Sequence, residues 1–239
     1  MKKIDNLIII GDSFCASRHP NSNHAWPVIL GKLLNCIVLG RGHGGGAWWT
    51  NKLDLSTLEC NPATTILIVV HTDSLRLPND HKIPVNLGQV FVDKGERVTE
   101  LDKWPGIREA ATSFYTSDLF CPNFYHWAQQ AWIKELDADT KYYATIHIPA
   151  YDSVDLSCVK NGISIIPRKD LRSLRALDAL ELEKDFTRMR DPRTNHFSNF
   201  NNIKLANALA SIILKLQPGD SGERNFDNLH EWEFYRKKF

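Results

Sequence analysis

The chain has 239 residues, 43% of them hydrophobic and 24% charged, with a formal net charge of +1. That is enough apolar material for one sizeable core, so a single domain over 1–239 is expected. The balanced charge excludes a nucleic-acid-coating surface and a polybasic membrane anchor, so neither nucleic acid nor membrane is an expected partner.

The opening MKKIDNLIIIGDS carries a short apolar run, Leu7 to Ile10, followed at once by polar residues. It does not read as a secretory signal. No stretch approaches the roughly 20 apolar residues that span a bilayer. The cysteines, Cys15, Cys36, Cys60, Cys121 and Cys158, are odd in number, scattered, and never in C-x-x-C spacing. They are expected to be reduced thiols of a cytoplasmic protein, without structural zinc.

In chain order, residues 6–10 read as a strand buried on both faces, because four apolar residues follow one another without alternation. His24 to Asn35 has helical apolar spacing, with Pro27 suited to a first turn. Cys36 to Leu39 reads as a short strand, and Gly40 to Gly46 (GRGHGGG) as a loop. Thr65 to Val70 (TILIVV) is the clearest buried strand, and it ends at His71-Thr72-Asp73-Ser74. Residues 76–116 lose periodicity and hold Pro78, Pro84 and Pro105; they read as an insertion folding as a small hairpin over one side of the site. Leu119 to Leu136 reads as a helix, Tyr142 to Ile148 as a strand, Gly162 to Ile166 as a short strand, and Ser198 to Leu216 as an amphipathic helix capped by Ser198. Residues 218–239 read as a polar tail whose aromatics pack on the body or join two copies of the chain. This alternation predicts an α/β fold, a three-layer α/β/α sandwich with a parallel sheet of about five strands.

Four chemistry-bearing positions fall at strand ends or loops. Ser13 follows the first strand, glycines 42 and 44–46 follow the second, Asp73 and Ser74 follow the third, and His196 precedes the last helix. In a doubly wound sheet such loops open on one edge. A serine, a histidine and backbone N–H donors there are the parts of acyl transfer. Alternatives carry less. The glycine loop lacks both G-x-G-x-x-G and a following Lys-Ser/Thr, which weighs against a nucleotide site. His71-Thr72-Asp73 is a bare H-x-D, a weak metal signature. Arg76 reads as a solvated arginine, with contact to an anionic substrate as the alternative. Of the adjacent Trp48 and Trp49, at least one is expected in the core, the alternative being stacking on a sugar.

This constellation resembles the SGNH (GDSL-type) hydrolases. The G-D-S block is Gly11-Asp12-Ser13, the glycine block is matched by HGGGA with Gly45 best placed and Gly44 next, and the third block falls on His71-Thr72-Asp73-Ser74. The final block is matched by DPRTNHFS, with His196. Trp26-Pro27 and the N-H-F-S run are similar to phage-encoded and bacterial members. The resemblance implies a flavodoxin-like sheet and an esterase or O-acetylesterase that needs no cofactor and acts on a small-molecule or carbohydrate ester. It implies Ser13 as nucleophile, His196 as base, and the N–H groups of Ser13 and Gly45 as oxyanion donors. Two positions depart from the family pattern. Asp73 stands where the family has its oxyanion asparagine, and Arg193 stands where it has an aspartate, leaving Asp191 as the nearest acid to orient His196. These departures keep open an alternative, a degenerate member that binds without turnover.

Overall fold

A computed structural model describes residues 3–12, 14–15, 25–40, 42, 46–77, 85, 90, 104–150, 154–165 and 199–224. The strands are β1 (Asn6–Ile10), β2 (Ile37–Leu39), β3 (Thr65–His71), β4 (Ala144–Pro149), β5 (Ile163–Ile165) and β6 (Gly222–Arg224). The helices are α1 (Trp26–Leu34), α2 (Trp48–Ser56), α3 (Pro105–Tyr115), α4 (Pro122–Ala138) and α5 (Asn199–Ile213). A single 3₁₀ turn, Pro62–Thr64, leads into β3.

All six strands pair in parallel, in the order β2-β1-β3-β4-β5-β6. This is the flavodoxin-like order with one strand added at the far edge. The central strands are buried along almost their whole length, with all of β3 inaccessible. That is why their sequences run apolar without alternating. Period-two geometry splits their side chains between two faces. Leu7, Ile9, Ile66, Ile68, Val70, Ile146 and Ile148 pack with α1 and α5 through Trp26, Leu30, Leu205, Leu209 and Ile213. Ile8, Ile10, Leu67 and Val69 pack on the opposite face with Trp132 and Leu136 of α4, flanked by Trp48 and Leu55 of α2. The sheet therefore lies between two helical layers.

Three differences from the sequence reading stand out. The sheet has six strands rather than about five, because Gly222–Arg224, read as part of a polar tail, pairs with β5. Trp48–Ser56, to which the sequence assigned no element, is a helix. Trp48 packs against the apolar layer and lies 6.1 Å from Trp132, which supports the core reading for this tryptophan. Within the 76–116 insertion Pro105–Tyr115 forms α3, and the hairpin expected there falls on residues that lie mostly outside the described ones. Val85, Val90, Ala111 and Tyr115 there make a small apolar cluster of their own. The remaining tail, 225–239, lies outside the described residues, and so does any contact between copies through it.

Among the described residues no helix is long and apolar enough to cross a membrane.

Candidate active site

Because the strands are parallel, the loops after β1, β2 and β3 all leave from the carboxyl edge. The order reverses between β1 and β3, and such a switch point is where open α/β sheets bind ligands.

The β1 loop turns at once. Cys15 N–H donates to Asp12 O (3.1 Å) and Phe14 N–H to Asp12 Oδ1 (2.9 Å), closing a tight turn. Ser13, enclosed by these bonds in sequence, lies outside the described residues. Gly11 cannot be replaced here, since a Cβ would come within 2.6 Å of Cys15 Sγ and 2.8 Å of Val70 Cβ. The β2 loop presses on this turn: a Cβ on Gly42 would collide with Asp12 O and Cys15 Sγ. Gly42 is thus in close backbone contact with Gly11 and Asp12. Cys15 itself is fully buried, and burial, with the Asp12 charge second, pushes its thiol well above the ordinary range. It stays protonated and inert.

The β3 loop completes the junction. The Thr72 hydroxyl donates to Asp12 Oδ2 (3.1 Å), and Arg76 Nη2 donates to the same oxygen (3.0 Å). Arg76 Nη1 also donates to Gly46 O, and Trp49 Nε1 donates to Arg76 O (3.3 Å). Asp12 is wholly buried and Arg76 nearly so. The solvated reading of Arg76 is therefore wrong. Its guanidinium faces inward onto a carboxylate 64 positions away in the chain. Both Asp12 oxygens are engaged, which leaves this carboxylate a holding role rather than that of a free base.

Helix α4 fastens the β3 loop from the other side. Gln129 Nε2 donates to Thr72 O (2.7 Å), and three positions earlier His126 Nδ1 shares a 2.7 Å hydrogen bond with the Ser74 hydroxyl. Spacing of three on a helix puts both on one face. From α3, the Tyr115 hydroxyl donates to Leu75 O (2.6 Å). Burial, then the Asp73 charge, raises the Tyr115 hydroxyl well above its usual range, so it remains a donor. Asp73 Oδ1 accepts Leu75 N–H (3.0 Å), so part of this carboxylate is turned onto its own loop.

The last approach to this edge comes from α5. Asn202 Oδ1 accepts Trp26 N–H (2.9 Å), and Trp26 Nε1–H donates to Phe14 O (2.8 Å). A fully buried indole thus links the first turns of α5 to the turn after β1. No protein-family model, curated protein or solved structure matches this chain.

Of the residues singled out in the sequence, Asp73 is described and lies on the β3 loop. Ser13, Gly44, Gly45, Asp191, Arg193 and His196 lie outside the described residues. His71 does not face the edge as a ligand would. It is buried beneath α4, where its Nε2 shares a 2.9 Å hydrogen bond with His147 Nδ1 and its ring meets Trp132 edge-on. The H-x-D reading of a metal site fails for this reason, since Asp73 is turned onto Leu75 while His71 is held by His147. Three groups escaped the sequence reading: Arg76 as a buried ion-pair partner, and His126 and Gln129 as clamps. The helical spacing of His126 and Gln129 was visible. Their partners, more than fifty positions away, were not.

Proposed function

We propose that the protein is a serine esterase of the SGNH type, acting on a small-molecule or carbohydrate ester such as an O-acetyl group. Ser13 attacks the acyl carbon, His196 takes the hydroxyl proton and returns it to the leaving alcohol, and Asp191 orients the imidazole. The N–H groups of Ser13 and Gly45 receive the developing oxyanion. No cofactor is required.

The observation that supports this reading most is the Asn202–Trp26–Phe14 chain. It ties the start of α5, whose first residue Asn199 is the third after His196, to the turn whose sequence includes Ser13. Contact of the glycine loop with the same turn supports an oxyanion role for the neighbouring amides. A second reading, in which the fold persists as a binding module without turnover, is favoured by Asp73. At the family's asparagine position this side chain accepts a hydrogen bond rather than offering one.

Hydrolysis of an aryl acetate separates the two. The esterase reading predicts turnover above the buffer rate that Ser13→Ala and His196→Ala each lower by about 10³-fold or more. Turnover unchanged by both substitutions overturns it.

A further inference from the structure

We propose that Arg76 is a positioning residue that sets the nucleophile turn against the oxyanion loop. This rests on the esterase reading above and names the residue that assembles the same site. The guanidinium reaches two loops at once: Nη2 donates to Asp12 Oδ2 at 3.0 Å, and Nη1 donates to Gly46 O. Asp12 is the residue before Ser13, and Gly46 is the residue after Gly45. The two contacted residues are thus the chain neighbours of the nucleophile and of the oxyanion donor.

A guanidinium holds its donors in one rigid plane. Two bonds from that plane fix the separation of the loops they hold and their relative orientation. A lysine ammonium is a point donor on a flexible stem and cannot impose that constraint, although it keeps the charge. The anchor is itself held. Arg76 O accepts Trp49 Nε1–H from α2, and the Asp12 carboxylate is further fixed by Thr72 and by Phe14 N–H. Burial of both ions keeps water from competing for these bonds. Acyl transfer is sensitive to such placement, since a misplacement of about 1 Å between reacting groups costs on the order of 10²-fold in rate.

A purely structural ion pair would affect stability and leave the acylation rate of the folded protein alone. The test is therefore kinetic. Ser13 acylation by a fluorophosphonate is timed in wild type and Arg76→Lys, with the thermal midpoint and the KM for an aryl acetate measured alongside. The expected result for folded Arg76→Lys is acylation slowed by about 10²-fold, kcat lowered by a similar factor, and KM changed less than about threefold. Should Arg76→Lys not fold, the double variant Asp12→Asn/Arg76→Met removes both charges together, and the same slowing is expected. Acylation at the wild-type rate in either folded variant overturns the assignment and leaves the esterase reading standing. Wild-type protein that is never acylated at Ser13 overturns both.

Discussion

Two buried polar junctions flank β3, and they solve the problem of burial in opposite ways. At the carboxyl edge, Asp12 and Arg76 are buried as ions, and every Asp12 oxygen has a donor. Beneath α4, His71 and His147 lie with ring planes 3° apart, joined by one hydrogen bond, while His71 Nδ1 and His147 Nε2 have no partner among the described residues. Burial lowers both imidazoles, His71 well below its ordinary value and His147 to about 4. Charge is retained where it joins three loops of the candidate site and is suppressed where it would only sit between two strands. A buried carboxylate needs donors for both its oxygens, whereas a buried neutral ring tolerates an open nitrogen at smaller cost.

The comparison breaks most sharply when one ion is removed. Arg76→Met leaves Asp12 buried without its counter-charge, and a loss of about 3–5 kcal/mol is expected in denaturant unfolding. Adding Asp12→Asn should recover most of that loss, because no uncompensated charge then remains. A small loss in the single variant would show that the pair is hydrated in solution.

Acid probes the other junction. The unfolded imidazole takes up its proton near pH 6.5, but His147 in the folded protein does so only near pH 4. Its folded-state pKa is depressed, so stability is intact above about pH 6.5, falls as the pH drops toward 4, and levels off below. The loss attributable to His147 is up to about 3 kcal/mol, and His71 adds to it in the same direction. Unfolding midpoints from pH 7 to pH 4 measure it, and His147→Gln should flatten the curve. A curve equally steep in that variant would assign the acid sensitivity elsewhere.

Smaller effects come from the loop between the junctions. Asp73→Asn keeps an oxygen for Leu75 N–H and adds an uncharged donor, so kcat on an aryl acetate should rise about tenfold, with little change in stability. An unchanged kcat would mean that Asp73 does not meet the oxyanion. Ser74→Ala removes only the hydroxyl bonded to His126 and should cost about 1 kcal/mol. Acylation should persist in that variant, because Ser74 is 1% exposed and serves as a clamp.

The layered fold was legible because its signals are local. The run TILIVV has no polar residue to place on a solvent face, and Pro27 and the spacing of Trp26 and Leu30 mark α1. What escaped depends on pairing. β6 is Gly-Glu-Arg, which has no strand signature and becomes a strand only because β5 presents an open edge. α2 mixes polar and apolar residues, and it buries Thr50 and Asn51, so its periodicity is blurred. α3 carries a first-turn proline and apolar Ile107, Ala111 and Phe114, but prolines nearby masked the pattern. At the site, the convergence of three loops followed from strand order. The inward turn of Arg76 did not, because a lone arginine past a strand ordinarily meets water and its carboxylate partner is remote in sequence.

The central claim is that Ser13 is a nucleophile at this edge. Its most direct test is the stoichiometry and position of fluorophosphonate labelling on folded protein, read by intact mass and peptide mapping. One adduct per chain, on the peptide containing Ser13 and absent from Ser13→Ala, is the predicted result. Folded protein that takes no adduct, or takes it only at another residue such as Ser74, would contradict the account.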